Sequence, residues 1–284
     1  MATILTLKRR IKAAQNVSKT TKAMQMIAVS KMKRAQEAVL ASRPYVQKLI
    51  SLSSKLSRTV EKEEKHPYLQ SKMATNRTLI IVLSPDKGLC GGLITNLLRE
   101  FLRLSKEEKE ASYITVGKKL EGQVAHRKNE VIASFTFGST TPTMEMVYPI
   151  IRIIDEYYIG EKVDGVKVLG AHFTSLFSQT PKVTTILPIT VMEDLEKDQQ
   201  YLFEPKLDTL LPPLLKHYLE MTIFQLLLEN FVSEQASRML AMQNATDNAN
   251  GIIEDLKLEY NKTRQAKITS EILDITSASI GATQ

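Results

Sequence analysis

Apolar residues recur at heptad spacing through the first sixty residues, and this repeat limits the possible folds more than any other feature. Counted from Ile4, twelve of the seventeen core positions up to Val60 are apolar. A repeat of about eight heptads predicts a long coiled-coil helix, and we expect Pro44 to kink this helix without ending it. The predicted core positions are Ile4, Leu7, Ile11, Ala14, Ser18, Thr21, Gln25, Ala28, Met32, Ala35, Val39, Ser42, Val46, Leu49, Ser53, Leu56 and Val60.

A second long helix is predicted at the other end of the chain. Pro212 and Pro213 suit the start of a helix, and only Gly251 interrupts the helical pattern between them and Ile280. Two terminal helices of similar length, each with an apolar side, are expected to pack antiparallel against each other. The apolar side of the second helix is predicted to hold Leu215, Leu219, Leu226, Val232, Ala236, Met239, Ile253, Leu256, Tyr260, Ile268, Ile272 and Ile275.

Residues 75–205, between the two helices, have a different composition. Nine of the eleven glycines lie between Gly88 and Gly170, and apolar β-branched runs alternate with helical patterns, which predicts a largely parallel sheet covered by helices. The predicted fold class is α/β, with a long antiparallel two-helix coiled coil from domains 1–60 and 209–284 and a Rossmann-like domain at 75–205. The predicted strands are 78–83, 112–116, 131–135, 166–173 and 182–189, and the helices are 92–104, 118–126 and 144–158.

The first sixty residues are strongly basic. They hold 13 Lys or Arg against a single acid, Glu37, a net charge of +12 in a chain whose total is +7. A solvated outer helix face is the simplest interpretation. Binding to nucleic-acid phosphates is the alternative from another functional class, although the segment has one aromatic residue, Tyr45, and its apolar side leaves only one face for a duplex. A mitochondrial transit peptide is a further alternative, but the hydrophobic repeat continues past Glu37 as a structural helix would.

The segment 84–92 follows the first predicted strand, where Rossmann-like folds often bind phosphate. It lacks both the G-x-x-x-x-G-K-[ST] and the G-x-G-x-x-G spacing, so its glycines are interpreted as points of close backbone approach. Cys90 is either a nucleophile with a lowered pKa or a packed or interfacial thiol. One cysteine and four histidines offer little for a zinc site. We predict no catalytic site, cofactor or metal. A Rossmann-like enzyme is kept as an alternative function, disfavoured because the sequence shows no catalytic dyad or triad and no metal cluster.

Four segments carry motifs specific to one protein family. They are TKAMQMIAVSKMKRAQ at 21–36, SPDKGLCGGLITN at 84–96, SEQASRMLAMQNATDNA at 233–249 and YNKTRQAKITSEILDI at 260–275. With these motifs in this order, the chain resembles the gamma subunits of the rotary F-type ATP synthases over nearly its whole length.

The resemblance implies a rotor, the central stalk of the catalytic head. Such a stalk is inserted through a ring of alpha and beta subunits, and its Rossmann-like foot stands with the epsilon subunit on the c-ring of the membrane sector. It would couple proton-driven rotation of that ring to ATP synthesis at the beta catalytic sites, and it would bind no nucleic acid. We expect a peripheral location on the cytoplasmic side of a bacterial cell membrane, since the sequence shows no leader.

The resemblance also implies contact residues, at the positions that match the family's motifs. Lys22, Ala23, Met24 and Gln25 would lie against acidic beta-subunit loops, Lys87 and Cys90 would lie close to the same loops, and Arg264, Gln265 and Thr269 would form an upper contact with beta. Packing in the helix seam is the alternative for Met24. The sequence Pro85-Asp86-Lys87 replaces the more usual Thr or Ser, Asp, Arg, which keeps the charge but loses the bidentate geometry of arginine. The cysteine pair of the chloroplast redox switch is absent, so no thiol regulation is expected.

Overall fold

A computed structural model describes residues 3–59, 66–70, 75, 77–108, 110–126, 130–189, 204 and 207–281. The chain forms two compact units, Met1–Ile27 with Met239–Gln284, and Ala28–Arg238. The predicted division at 60, 75, 205 and 209 follows sequence segments and stays a prediction. The elements are α1 (Ile4–Thr59), a 3-10 helix (Pro67–Leu69), β1 (Thr78–Leu83), α2 (Leu93–Glu107), β2 (Ala111–Val116), α3 (Lys118–Ala125), β3 (Glu130–Phe135), a 3-10 helix (Met144–Met146), α4 (Tyr148–Tyr158), β4 (Gly165–Phe173), β5 (Gln179–Leu187) and α5 (Leu207–Gly281).

The heptad repeat predicts the buried side of α1 correctly. From Ile4 to Leu49, every predicted core position is buried or half-buried, while nearly all other described side chains of the helix are exposed. The side chains of Ser53 and Leu56, and the whole of Val60, lie outside the described residues. The helix continues through Pro44, as expected. The fully buried core positions are Leu7, Ala28, Met32, Ala35, Val46 and Leu49.

In the smaller unit, the two terminal helices pair antiparallel. Thr21 lies opposite Thr246, and the hydroxyl of Ser18 donates to the Asn250 side chain at 2.8 Å. Further toward the start of α1, the ammonium of Lys8 lies 6.0 Å from the ring centre of Tyr260. Residue numbers thus fall along α5 as they rise along α1, which is the signature of an antiparallel pair. The predicted antiparallel pairing is confirmed in this unit. The predicted apolar side of the second helix is wrong at Ile268, Ile272 and Ile275, which are exposed because they lie beyond the level at which α1 begins.

The larger unit contains a five-stranded sheet in the order β3-β2-β1-β4-β5. β1, β2, β3 and β4 are parallel, and β5 pairs antiparallel with β4 at the edge. One core lies between the sheet and α2 and α3, and the other between the sheet and α4 and the first part of α5. Helices therefore cover both faces of a mainly parallel sheet, which confirms the predicted Rossmann-like α/β fold.

Proline accounts for two differences between the predicted and observed elements. Helix α5 begins at Leu207, so Pro212 and Pro213 lie inside it and not at its start. Both prolines and Thr209 are exposed, so the carbonyls that lose a helical donor can turn to water. Strand β5 begins at Gln179, three residues before the predicted start. It includes Pro181, which an edge strand tolerates because the missing N–H faces away from the sheet.

Candidate functional site

Hydroxyl and amide groups fill the seam of the helix pair where the heptad repeat is weakest. The hydroxyls of Thr21 and Thr246 are 2.7 Å apart, and Thr246 also donates to the carbonyl of Met242 at 2.8 Å. Thr246 is buried, and Thr21 is half-buried. Hydrogen bonds therefore replace apolar packing at this level of the seam, and each hydroxyl has an alternative acceptor on its own helix.

Threonine pairing across this seam can be tested with valine, which has the same shape. Thr246→Val should lower the free energy of unfolding by about 1 kcal/mol, because Thr21 loses its hydrogen bond across the seam at a mostly buried level. Adding Thr21→Val should cost little more, since two valines pack without unpaired groups. Denaturant unfolding of the parent, both single variants and the double variant measures the coupling. Strictly additive losses would contradict the seam contact.

The predicted contact residues Lys22, Ala23, Met24 and Gln25 lie on α1 beside this polar seam. Lys22, Ala23 and Met24 are exposed, and Gln25 is half-buried and accepts a 3.2 Å hydrogen bond from Lys22. Met24 keeps 39% of its surface exposed. This exposure favours an outward contact for Met24 over packing in the seam. That a partner binds there stays a prediction.

The second predicted group, Arg264, Gln265 and Thr269, lies on an exposed stretch of α5. All three side chains are exposed, and the Thr269 hydroxyl donates to the carbonyl of Gln265 at 3.0 Å. The antiparallel register puts Arg264 beside the start of α1. It is therefore about twenty residues, or about 30 Å along the axis, from Met24. The two predicted contact groups therefore lie at separate levels of one helix pair.

The loop 84–92 belongs to the larger unit and joins β1 to α2 at the carboxyl edge of the sheet. The backbone N–H of Lys118 donates to Asp86 at 3.0 Å, which fixes the loop to the start of α3. Lys87 is exposed, whereas Cys90 is buried in the core beneath α2. Leu89 has a φ of 64° although it is not glycine, a conformation that costs roughly 1–2 kcal/mol. The loop is held in one strained conformation that presents the Lys87 side chain.

Arg238 of α5 holds this loop and was not predicted from the sequence. Its guanidinium donates to the carbonyls of Lys87, at 3.1 Å, and Gly88, at 3.3 Å. It also forms a 2.7 Å ion pair with Glu234, and both side chains are largely buried. The available signal was a Glu and an Arg four residues apart inside an otherwise buried helical segment, which indicates a paired buried charge.

Burial dominates the electrostatics of this contact. Loss of solvent raises the pKa of Glu234, and the nearby Arg238 opposes the shift without cancelling it. Asp86 adds to the shift through repulsion, and Lys31 lowers it. The cleft beside the loop 84–92, where a Rossmann-like fold could bind a phosphate, is lined by the carboxylates Asp86 and Glu234. In addition, the N–H of Ala171 is already bonded to the Asn230 side chain at 3.0 Å. These features disfavour nucleotide binding at this edge.

Burial also decides between the two interpretations of Cys90. Its thiol is 1% exposed, and burial raises its pKa despite the opposing charge of Arg238. The hypothesis of a lowered pKa is wrong, and the packed thiol is the better interpretation.

The burial of Cys90 predicts slow chemical modification. At neutral pH the native chain should react with a maleimide on the order of 100-fold more slowly than the denatured chain, because reaction needs local opening and a deprotonated thiol. Cys90 is the single cysteine, so mass spectrometry reads this site alone. Equal rates in native and denaturing buffer would show that the thiol is accessible.

The described residues contain no group of three or more His, Cys, Asp and Glu side chains placed to hold a metal ion. In the same part of the chain, no helix combines the length and apolarity that crossing a bilayer requires. The predicted contact residues lie on helix surfaces and on one loop, and Cys90 is the one among them that is buried. The fold defines a class of protein in which paired terminal helices accompany a Rossmann-like α/β domain.

Comparison with known proteins identifies the family within this class. A family model described as ATP synthase matches residues 3–280. The ATP synthase gamma chain of Dehalococcoides mccartyi is 37% identical, with 97% of each chain covered. The chain belongs to this ATP synthase family, alongside proteins called gamma chains. The comparisons give no support to the nucleic-acid alternative.

Solved structures agree with the fold. A chain of the Tetrahymena thermophila mitochondrial ATP synthase central stalk and c-ring matches with a TM-score of 0.60 and 25% identity, covering 80% of this chain and 99% of that one. A chain of the Euglena gracilis mitochondrial assembly of OSCP, F1 and c-ring matches with a TM-score of 0.67, covering 98% and 94%. Because the sequences are only 16% identical, this second match supports the fold alone.

Proposed function

We propose that this chain is the gamma subunit, the central rotor, of a proton-translocating F-type ATP synthase. It couples proton-driven rotation of the membrane ring to ATP synthesis at catalytic sites on the beta subunits. The chain itself supplies no catalytic residue, cofactor or metal. Its family membership supports this function, and the antiparallel pairing of its two terminal helices is the structural observation that carries it.

The helix pair has unlike sides, as a rotor within a ring of repeated subunits requires. In the smaller unit α1 bears Lys8, Arg9, Arg10, Lys12, Lys19 and Lys22 and no acid, whereas α5 mixes both signs of charge over the same length. A single asymmetric helix pair presents a different surface to each surrounding catalytic subunit. Ligand states couple to rotation only through such differences in contact energy.

The exposed charges of α1 suit contacts that break at every step. Surface ion pairs contribute roughly 0–1 kcal/mol each, and their attraction extends over about a Debye length, about 8 Å at physiological salt. Lys22 on α1 and Lys87 in the loop 84–92 are both exposed. We assign them, with Ala23, Met24, Gln25 and the loop carrying Cys90, to contacts with acidic loops of beta. Arg264, Gln265 and Thr269 form the upper contact.

The partners that follow are the alpha and beta subunits of the head, the epsilon subunit and the c-ring. Similarity to a solved central stalk with its c-ring supports this set in general terms. Through the complex, the chain is associated peripherally with the cytoplasmic side of a bacterial cell membrane. It binds neither nucleotide nor nucleic acid in this function.

Reconstitution tests the proposal. The chain should co-purify with alpha and beta subunits, and inverted vesicles should pump protons on ATP addition only when it is present. Vesicles assembled without the chain are the control, and a proton conductor that abolishes the pH gradient confirms the signal. A chain that fails to join the complex, or that instead binds random duplex DNA with steep salt dependence, would overturn the assignment.

A further inference from the structure

The hairpin between β4 and β5 ends in an unusual turn. The N–H of Ser178 donates to the carbonyl of Ser175 at 3.2 Å, which leaves Leu176 and Phe177 at the two central positions. Such positions normally hold Gly, Pro, Asn, Asp or Ser. Phe177 is 80% exposed and Leu176 is 38% exposed, so neither residue is explained by packing within the described part of the chain.

Side-chain hydrogen bonds hold this tip in one conformation. The Ser175 hydroxyl accepts from the N–H groups of Phe177, at 3.3 Å, and Ser178, at 3.1 Å. The Gln179 amide donates to the carbonyls of Ser175 and Leu176 at 2.9 and 2.8 Å. An aromatic side chain on a preordered turn loses little conformational entropy on binding, which favours a role as a docking anchor.

One turn of α5 ties the hairpin tip and the loop 84–92 together. The Ser237 hydroxyl donates to Gln179 at 2.7 Å, and the next residue, Arg238, donates to the carbonyls of Lys87 and Gly88. The two segments follow β4 and β1, which are parallel neighbours, so both leave the same edge of the sheet. The tip therefore continues the surface on which Lys87 is exposed.

The charge of this surface indicates what kind of partner it fits. Residues 165–187 contain no Asp or Glu, and Lys87 and Lys182 are exposed. The two carboxylates of this edge are held internally, Asp86 by the Lys118 N–H and the buried Glu234 by Arg238. Leu89, in the neighbouring loop, adds a side chain that is 60% exposed. An apolar recess bordered by carboxylates complements this combination, because like charges would otherwise oppose docking.

We propose that Leu176 and Phe177 anchor this chain in an apolar recess on a beta subunit, beside the acidic loops that Lys87 contacts. The proposal rests on the proposed rotor function and adds a second, apolar contact to it. Phe177 supplies most of the contact, and the basic rim selects the acidic partner.

Affinity measurements test the anchor. Phe177→Ala should weaken binding of the full chain to an alpha–beta head lacking this subunit by roughly 30-fold, the effect of a hot-spot aromatic residue. Ile159→Ala is the matched control, since Ile159 is 46% exposed and follows α4 toward the opposite edge of the sheet. It should bind like the parent. Both variants should unfold like the parent, because they truncate exposed side chains.

Cross-linking identifies the occupant. In a Cys90→Ser background, Phe177→Cys carrying a benzophenone maleimide should attach to beta in the assembled complex, and Ile159→Cys should not. If the parent chain binds no head, the rotor assignment fails. If the parent binds and Phe177→Ala binds equally well, or if the probe attaches to epsilon or to a second copy of this chain, the docking proposal alone is overturned.

Discussion

Met24→Lys is expected to reduce the protons pumped per ATP hydrolysed while leaving the chain folded. Met24 is exposed on α1 next to Lys22, so a new cation adds to a surface that we assign to acidic beta loops. The stronger contact between α1 and the beta loop is expected to persist past the step at which the rotor has to release it. One exposed ion pair is worth up to about 1 kcal/mol, which slows release by up to about fivefold. Proton pumping and ATP hydrolysis, measured in the same vesicles, give the ratio.

A matched variant separates position from charge. Met26→Lys adds the same charge two residues along α1, where the side chain is 65% exposed and points to another side of the helix. It should leave pumping per ATP close to that of the parent. Met24→Leu keeps the size without charge and should also pump normally. Equal ratios in Met24→Lys and parent membranes would contradict the assignment of Met24 to the contact.

Arg238→Met should destabilise the larger unit more than any surface change discussed here. The substitution leaves Glu234 buried without its ion-pair partner and removes the donors to the Lys87 and Gly88 carbonyls. Breaking a buried pair in this way typically costs 3–5 kcal/mol. Denaturant unfolding should show this loss, and the Cys90 thiol should become more reactive as the loop 84–92 loosens.

The pH dependence of the variant has a defined sign. Burial raises the pKa of Glu234, and loss of Arg238 removes an opposing charge, so the folded-state pKa rises further. A raised carboxyl pKa means that the folded state binds more protons than the unfolded state. Stability is therefore lost as pH rises from the ordinary carboxyl pKa through the folded value. Arg238→Met should be less destabilised at pH 5 than at pH 8.

Glu234→Gln in the Arg238→Met background is the control for the buried charge. Glutamine keeps the shape but carries no charge, so part of the stability should return and the added pH dependence should disappear. An Arg238→Met variant that unfolds with the parent, or that loses the same stability at both pH values, would show that Glu234 is not held by this pair.

The helices and strands were predictable because their patterns are local. Core positions of α1 recur every three or four residues, and β1 is a run of apolar residues bounded by polar ones, so periodicity alone identifies them. Pro212 and Pro213 were placed at a helix start because sequence reasoning applies the first-turn preference of proline. It does not show that the helix begins five residues earlier, at Leu207, and continues through both exposed prolines.

The loop contacts were harder to predict because they join residues far apart in sequence. Arg238 bonds to Lys87 and Gly88 across about 150 positions, and nothing in either segment specifies the other. Ser237 and Gln179 pair in the same way across the sheet edge. Sequence identified Cys90 as notable but could not decide its pKa, since burial depends on how α2 packs over it.

The end of α5 determines how the chain behaves before it meets its partners. Four aliphatic side chains in this stretch are 46–70% exposed, namely Ile268, Ile272, Leu273 and Ile275. Newly synthesised protein therefore exposes an apolar surface at this end of the helix. Such surfaces promote aggregation and attract chaperones and proteases. A cell that synthesises this polypeptide in excess should therefore degrade the surplus.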